Sequence, residues 1–371
     1  MRILQLGKFH PIRGGVEKVM LDITQGLSEK GLPCDMLCAN FEKSPGITEI
    51  TLNRHGRIIV VPTLFKAAGT MIAPKMISWL RKHAREYDII HIHHPDPMAA
   101  IALMFSGFNG RVILHWHSDI ISQKFFLFFY KPIQKWLIKR AERIIGTTPV
   151  YVADSSALRK VQDKTTFVPI GIDPLISDPD ETNKIKNPYI CKIIVYSLGR
   201  LVEYKGFEYL IDAAGYLPED YQVVIGGTGP LKDALQKRID NLGLRERVTL
   251  LGFVDDKDVP SWFSAADVFV LSSVMKTEAF GIVQIEAMSV GTPVVATKIP
   301  GSGVSWVNKD GVSGLNVEPQ DPEALAKAII AVTKDETANK SFGAGAKARF
   351  EEMFRKELML NKLENIYEKR V

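Results

Sequence analysis

The stretch that decides the fold runs from Val268 to Glu286 and reads VFVLSSVMKTEAFGIVQIE. It begins with an apolar, β-branched run over residues 268–272 that predicts a buried strand, and it ends in a segment with helical spacing. Gly281 stands at the turn, where the backbone can approach a ligand closely because glycine has no Cβ. The stretch therefore predicts a loop at the carboxyl end of a parallel strand, where open α/β sheets bind their ligands.

The alternation of strand and helix extends over the whole chain. In the first half, amphipathic segments separate strands predicted at 2–6, 33–38, 57–61, 88–93, 111–115, 143–146 and 166–169. In the second half, strands are predicted at 192–197, 222–225, 247–251, 268–272, 293–296 and 315–317. Near-continuous apolar strands separated by helices predict an α/β protein with parallel sheets that are covered on both faces.

The alternation is interrupted between residues 171 and 188, where Pro, Asp and Asn are frequent. This composition is typical of a linker. The sequence therefore predicts two domains, residues 1–175 and 176–351, which face each other across a cleft. A long helical pattern over about 346–369 ends the chain.

Composition and charge narrow the classes of function. The 371 residues are 46% hydrophobic and 24% charged, which excludes a disordered chain, a collagen and a coiled coil. The three cysteines favour a reducing compartment, and no apolar run approaches the ~20 residues of a membrane-spanning helix. No secretory signal is visible, so we expect a cytoplasmic protein. Residues 1–175 carry a net charge of +9 and residues 176–371 one of −4. The first half is therefore expected to face an anionic surface or substrate, with chance surface variation as the alternative.

Two carboxylates lie on either side of the Gly281 loop. Glu278 lies at the strand end and could contact a sugar, while Glu286 lies about one turn into the helix and leans back toward its start. It could accept hydrogen bonds from ribose hydroxyls. The backbone N–H groups of Phe280–Val283 open the helix and suit a diphosphate. The alternative is that both glutamates are ordinary surface residues.

Arg200 and Lys205 lie on the loop after the first strand of the second half. An arginine and a lysine on a strand-to-helix loop can hold a diphosphate, the first through its planar fork and the second as a point charge. They could also neutralise the charge that develops on a departing nucleotide. A solvated basic loop is the alternative.

Gly14 and Gly15 follow the first predicted strand. Paired glycines allow the backbone to approach a phosphate there, although a simple turn would also explain them. The loop is not Gly-x-Gly-x-x-Gly, and residues 226–230 do not match that pattern either. A dinucleotide-dependent dehydrogenase is therefore disfavoured, and the Walker A pattern is also missing.

Five of the eight histidines form two clusters at the ends of predicted strands: His91, His93 and His94, then His115 and His117. Alternation along a strand brings His91 with His93, and His115 with His117, onto common faces. We expect His91 and His115 to pack internally and His117 to face the site. Zinc would need further ligands of the cysteine or acidic type, which are missing, so no metal is expected.

Taken in order, these motifs resemble those of the retaining nucleotide-sugar glycosyltransferases of family 4, which have the GT-B fold of two Rossmann-like domains. The resemblance covers nearly the whole chain and rests on Gly14-Gly15, His117, Gly199-Arg200, Lys205-Gly206, Gly252-Phe253-Val254 and Glu278 to Glu286. Residues 115–119, 141–145 and 169–173 are similar to bacterial mannosyltransferases of polysaccharide assembly.

The resemblance implies a role for each motif. Arg200 and Lys205 would hold the donor diphosphate, with Gly14 and Gly15 lining the phosphate site. The transferred sugar would be contacted by His117, by Glu278 and by the backbone of Phe280, Gly281, Ile282 and Val283. Glu286 would contact the ribose, and Val254 would contact the base. His117, Glu278, Arg200 and Lys205 are thus the candidate catalytic residues. No metal or other cofactor is implied, and a last helix over about 352–371 would cross back onto the first domain.

The implied reaction is the transfer of mannose from GDP-mannose to a lipid-linked oligosaccharide in bacterial surface polysaccharide (O-antigen) synthesis. Three alternatives stay open: transfer of another hexose or N-acetylhexosamine from a UDP-sugar, a nucleotide-sugar 2-epimerase of the same fold, and a non-catalytic nucleotide-sugar-binding protein. The last alternative, a non-catalytic protein, is disfavoured by four charged residues of the predicted site: Arg200, Lys205, Glu278 and Glu286. No nucleic-acid partner is expected.

Residues 124–143, KFFLFFYKPIQKWLIKRAER, form a basic and aromatic segment. Its six basic residues are Lys124, Lys131, Lys135, Lys139, Arg140 and Arg143. Aromatic residues beside basic ones suit an anionic membrane interface, such as the inner face of the cytoplasmic membrane. The alternative is that the aromatic side chains pack in the core while the lysines face water.

Overall fold

The computed structural model describes residues 1–42, 45–67, 69–120 and 124–369, with backbone alone for residues 124–129. The contacts divide the chain into a first unit, Met1–Gly171 with Lys356–Val371, and a second unit, Ile172–Arg355. These limits lie four residues from the predicted ones. Within the described ranges, no helix is both long and apolar enough to cross a bilayer.

The first unit is built on an eight-stranded sheet. Its strands are β1 (Ile3–His10), β2 (Cys34–Asn40), β3 (Thr48–Asn53), β4 (Gly56–Val61), β7 (Ile89–His94), β8 (Arg111–Trp116), β9 (Arg143–Gly146) and β10 (Thr165–Phe167), and β5 (Phe65–Ala67) and β6 (Thr70–Ile72) form a separate hairpin. Its helices are α1 (Gly15–Glu29), α2 (Lys75–His83), α3 (Pro97–Met104), α4 (Lys124–Arg140), α5 (Pro149–Asp154) and α14 (Lys356–Glu368).

The order of the sheet is β10-β9-β8-β7-β1-β2-β4-β3, and only the β3–β4 pair is antiparallel. Apart from the two edge strands, this is the 3-2-1-4-5-6 order of the Rossmann fold, counted from β1. The order reverses between β1 and β7. Their carboxyl ends therefore face the position where such sheets bind ligands.

The second unit contains one six-stranded parallel sheet. Its strands are β11 (Ile193–Leu198), β12 (Tyr221–Gly226), β13 (Val248–Gly252), β14 (Val268–Leu271), β15 (Val294–Thr297) and β16 (Gly314–Val317). Its helices are α6 (Pro179–Lys186), α7 (Phe207–Ala214), α8 (Lys232–Asn241), α9 (Val259–Ala265), α10 (Ile282–Ser289), α11 (Val304–Val307), α12 (Pro322–Thr333) and α13 (Glu336–Met353). The order β13-β12-β11-β14-β15-β16 again follows the Rossmann pattern, with the reversal between β11 and β14.

The predicted parallel α/β architecture is confirmed, whereas two local predictions are wrong. The region read as a linker contains α6, because Asp178 caps its first turn by accepting from the N–H groups of Asp180 and Glu181, with Pro179 at the first helical position. The long final helix is two helices. Between them the Phe354 carbonyl accepts a hydrogen bond from the N–H of Ile172.

The helix α14 packs in the first unit. Lys30, directly after α1, pairs with Glu364 at 2.7 Å, and Leu360 lies against Gly26. Arg111 on β8 donates to the carbonyls of Ile366 and Lys369, so it caps the last turn of the helix. The end of the chain thus completes the covering layer over β1 and β7.

Candidate active site

A buried ion pair lies at the switch point of the second unit. Lys205 follows β11, Glu278 follows β14, and their Nζ and Oε2 atoms are 2.5 Å apart. The side chains are only 10% and 11% exposed. Burial opposes the charge of Lys205, but the Glu278 carboxylate outweighs burial and raises the pKa of the lysine. Lys205 is therefore held in its charged form at neutral pH.

Small residues and hydroxyl groups hold this pair in place. Gly206 has φ +62°, and a Cβ there would lie 2.3 Å from the carbonyl oxygen of Ser272, so only glycine fits. Ser272 Oγ donates to the Lys205 carbonyl, and Ser273 Oγ donates to Glu278 Oε2 at 3.1 Å. The loops after β11 and β14 are thus joined directly at the site.

The helix α10 starts at the same place. Gly281 caps it with φ 74°, and a Cβ there would lie 2.7 Å from Leu271. The first backbone N–H groups of α10, at Ile282 and Val283, have no partner within the helix. The Phe280 side chain is buried and packs edge-on against Phe354, so only the backbone of Phe280 can serve a ligand at this site.

Arg200 lies exposed on the β11 loop, and its charge acts to lower the pKa of Lys205. The neighbouring Gly199 packs closely against a second loop, at residues 226–229. A Cβ on Gly227 would lie 1.8 Å from the Gly199 carbonyl, and the Thr228 carbonyl accepts from the N–H of Leu201. The glycines at 226–229, which match no phosphate-binding motif, therefore let one loop pack closely beneath another.

The residues predicted to bind the ribose and the base follow β14 and β13 along the chain. Glu286 is half-buried on α10, and its charge acts with burial to raise the pKa of Tyr196. Val254 follows β13, and its Cγ2 lies near Gly226 at the end of β12. Their predicted contacts to a nucleotide stay predictions.

In the first unit, Gly14 and Gly15 are exposed at the start of α1. Gly14 has extended backbone, and a Cβ on it would lie 2.5 Å from Glu17 Oε2. Gly14 is the N-cap residue and has no side chain with which to cap this helix start. The predicted contact of these two glycines to a phosphate stays a prediction.

Four imidazoles form a stack along β7 and β8. Ring centroids are 4.9 Å apart for His91–His93, 5.3 Å for His93–His115 and 4.1 Å for His115–His117. The predicted sharing of faces is confirmed, and His93 is the register partner of His115. All four rings are buried, His117 included. The stack therefore belongs to the interior as much as to the site.

Burial keeps these rings neutral. It lowers the pKa of His115 to about 3, and burial together with the neighbouring imidazoles lowers the pKa of His91, His93 and His117. Among the described residues, neither ring nitrogen of His115 has a hydrogen-bond partner. Ligand atoms of His93, His115 and His117 lie within 4.8 Å of one another. However, His93 Nδ1 and His117 Nε2 are hydrogen-bonded together at 2.9 Å. The predicted lack of a metal stays a prediction.

Several supporting residues were not predicted from the sequence. They are Ser272, Ser273, the 226–229 glycines, Gln5 and Tyr367. A run of glycines after a strand is a visible signal of close packing, and Ser-Ser after β14 is a visible signal of polar groups at a strand end. The partners of Gln5 and Tyr367 lie far away in sequence, so no local pattern marks them.

Comparisons with known proteins agree with this geometry. The family model "Glycosyltransferase Family 4" matches residues 13–174, and "Glycosyl transferases group 1" matches residues 179–349. The O-antigen chain mannosyltransferase C of Escherichia coli is 30% identical, over 99% of this chain and 98% of its own. The D-rhamnosyltransferase WbpZ of Pseudomonas aeruginosa is 28% identical, over 95% and 92%. In fold, the sucrose-phosphate synthase of Thermosynechococcus elongatus superposes with a TM-score of 0.83 at 24% identity, over 99% and 98% of the two chains.

Proposed function

Since this chain belongs to the family 4 glycosyltransferases, with the two Rossmann-like units of the GT-B fold, we propose that it transfers mannose from GDP-mannose to a lipid-linked glycan, retaining the anomeric configuration. The observation that carries this proposal is the buried Lys205–Glu278 pair at the switch point of the second unit. The full-length likeness to an O-antigen chain mannosyltransferase supports mannose as the sugar.

The donor diphosphate would be held by Arg200, Lys205 and the start of α10. An ammonium group has three donors, so Lys205 can keep Glu278 and still donate to a phosphate oxygen. Glu278 Oε2 already accepts from Lys205 and Ser273, which leaves Oε1 for a sugar hydroxyl. The pair thus joins the leaving group to the transferred sugar.

In the proposed step, the bond from the anomeric carbon to the diphosphate oxygen breaks as the acceptor hydroxyl oxygen bonds to the same face of that carbon. The acceptor proton passes to the departing phosphate. Negative charge develops on the diphosphate, and Arg200, Lys205 and the positive end of α10 stabilise it. His117 would contact the sugar near the reacting carbon, and Glu286 and Val254 would bind the ribose and the base.

The first experiment is a donor panel measured by thermal shift and calorimetry. A ligand of the folded state raises apparent stability by mass action. Stabilisation by GDP and GDP-mannose is expected, with and without magnesium. Stabilisation by UDP, UDP-glucose or UDP-N-acetylglucosamine alone would overturn the donor. Free UDP-N-acetylmannosamine formed from UDP-N-acetylglucosamine without an acceptor would instead identify an epimerase.

The Arg200→Ala variant tests the leaving-group role. We expect turnover to fall by more than about tenfold while the fold survives, because a charged contact to the leaving group is lost. Wild-type turnover in the folded variant would remove Arg200 from the site. Proton NMR of the product, through its anomeric coupling, tests retention directly.

Transfer of D-rhamnose is the second candidate. The Pseudomonas aeruginosa relative, at 28% identity over nearly the whole chain, is named a D-rhamnosyltransferase. D-Rhamnose is 6-deoxymannose, so a pocket that contacts the 6-hydroxyl would separate the two sugars. Competition between the GDP-activated forms of both sugars for one acceptor decides between them by kcat/KM.

We also propose that the protein acts at an anionic membrane surface inside the cell. Lys131, Lys135 and Lys139 are exposed on α4 at four-residue spacing, so they line one face of the helix. The predicted membrane contact of the preceding aromatic side chains at 125–129 lies outside what the structure describes. Tyr130 is buried.

Sedimentation with vesicles tests this surface. Changing Lys131, Lys135 and Lys139 to Glu should abolish binding to phosphatidylglycerol-containing vesicles at low salt, because three attractions become repulsions. The matched control changes Lys327, Lys334 and Lys340 to Glu, which alters net charge equally in the second unit. Equal loss in both variants, or loss in neither, would sink the idea.

A further inference from the structure

A chain of buried hydrogen bonds links α14 to the candidate catalytic histidine. Tyr367 Oη lies 2.5 Å from His91 Nδ1 and 3.5 Å from Gln5 Nε2. Gln5 Oε1 lies 2.8 Å from His93 Nε2, and His93 Nδ1 lies 2.9 Å from His117 Nε2. All five side chains are buried. Of these five residues, only His117 has a role in the proposed reaction.

The amide of Gln5 determines which atoms donate and which accept along these hydrogen bonds. Its Nε2 faces two acceptors, the oxygen of Tyr367 and the sulfur of Cys34 at 3.7 Å. The amide oxygen is thereby turned toward His93. Because a carbonyl oxygen only accepts, the hydrogen must lie on His93 Nε2. The hydroxyl hydrogen of Tyr367 is then directed to His91 Nδ1, which leaves the phenol oxygen to accept from Gln5.

The position of the hydrogen on His93 then determines the position of the hydrogen on His117. His93 is a neutral imidazole, because burial and the neighbouring imidazoles hold its pKa low, so a hydrogen on Nε2 makes its Nδ1 an acceptor. The only hydrogen that can lie between His93 Nδ1 and His117 Nε2 is then that of His117. A neutral His117 with hydrogen on Nε2 presents Nδ1 as a bare acceptor.

We propose that Gln5, held by Tyr367, is a positioning residue that fixes His117 as the tautomer with hydrogen on Nε2, so that its Nδ1 accepts a hydrogen bond from a hydroxyl of the substrate. The tautomer follows from the hydrogen-bond contacts of rings that burial keeps neutral. Its consequence for catalysis rests on the proposed function, in which His117 contacts the sugar.

The consequence is selectivity for a hydroxyl donor at this point. An acceptor nitrogen receives the hydrogen of a sugar hydroxyl, whereas an N–H in the same place would donate to the oxygen of that hydroxyl and turn the hydroxyl hydrogen elsewhere. A ring held in the wrong tautomer by its second nitrogen costs about 10⁴ in rate in the serine protease triad. In this protein we expect kcat to fall by at least about tenfold when a variant no longer fixes the tautomer of His117.

The tautomers are measured directly by long-range ¹H–¹⁵N spectra of histidine-labelled protein at neutral pH, with signals assigned from His93→Gln and His117→Gln variants. In the unaltered protein, His93 and His117 should both show a protonated Nε2 and a bare Nδ1. In Tyr367→Phe and Gln5→Met, the His117 signals should shift toward the other tautomer or a mixture. The first variant removes one oxygen only, so it is expected to fold.

Tyr221→Phe is the matched control. It removes a buried hydroxyl of the second unit, which pairs with Thr333 at 2.8 Å. It should leave the histidine spectra and kcat unchanged. For Tyr367→Phe, kcat should fall by at least about tenfold with a smaller change in the donor KM, because the residues of the second unit that would bind the nucleotide are unaltered.

A bare Nε2 on His117 in the unaltered protein, or spectra unchanged in both variants, would overturn the proposal. So would a change of the His93 and His117 signals on adding a chelator, which would show a bound metal ion instead. Altered tautomers with unchanged kcat would leave the hydrogen-bond chain correct and overturn the catalytic role of His117, so the two failures are distinguishable.

Discussion

Mild acid is expected to destabilise the first unit strongly. Its five buried histidines, namely His91, His93, His94, His115 and His117, all have a pKa lowered by burial. In the unfolded chain each has a pKa near 6.5. As the pH falls below about 6.5, the unfolded chain takes up protons that the folded unit does not. The stability that these rings contribute is therefore present above pH 6.5 and is lost as the pH falls toward their folded-state values.

The magnitude follows from linkage. Going from about pH 7.5 to about pH 5.5, a group with an unfolded pKa of 6.5 and a much lower folded pKa costs roughly 1.4 kcal/mol. Five such groups cost about 7 kcal/mol, which is comparable to the whole free energy of unfolding of a typical domain. Asp96 acts in the opposite sense, because burial raises its pKa. The first unit should therefore unfold near pH 5 while the second unit persists.

Urea unfolding over this pH range, with hydrogen-exchange mass spectrometry to separate the two units, measures the effect. The variant His115→Phe is the matched test, because neither ring nitrogen of His115 has a partner to lose. It should lose about 1.4 kcal/mol less than the unaltered protein over the same interval. A first unit whose stability changes by less than about 1 kcal/mol between these pH values would refute the reasoning.

Two further predictions concern the second unit. Lys205→Met leaves the Glu278 carboxylate buried without its cation, so urea unfolding of this unit should show a loss of about 3–5 kcal/mol. Lys327→Met, which breaks an exposed pair, should cost far less, and equal losses would contradict the assignment. Gly206→Ala should lower the free energy of unfolding by more than the roughly 1–3 kcal/mol that left-handed backbone strain alone would cost, because its Cβ meets a backbone oxygen. Gly243→Ala, at φ +68° in open space, should show only that strain, and a greater loss there than at Gly206 would be inconsistent with the contact.

Most strands of the two sheets were predictable because they are apolar runs, and central strands such as β14 and β15 are buried along their whole length. β3 was missed because it is an edge strand, and four of its six residues are Thr, Glu or Asn, the composition of a loop. The helix α6 was missed for a different reason. The same Asp178-Pro179 pair that marks a loop also caps a helix, and only the burial of Ile185 beneath it decides between the two.

At the candidate site, the sequence predicted which side chains carry charge but not how they pair. Lys205 and Glu278 meet only because β11 and β14 are neighbours at the reversal of strand order, which no spacing along the chain reveals. The same holds for Tyr367 and Gln5, whose contact spans 362 positions. Tertiary packing, not local pattern, decides both contacts.

The return of α14 to the first unit has a consequence for how the chain is made. The second unit is contiguous, Ile172–Arg355, and can complete its contacts as soon as those residues have been synthesised. The first unit must wait for residues 356–369, which supply Tyr367 and the carbonyls that Arg111 binds. At about 5–20 residues per second, its sheet lacks the cover of α14 for at least roughly ten seconds while the second unit is translated. The chain therefore folds its later unit first, and its earliest segment is the one with the longest need of protection from aggregation.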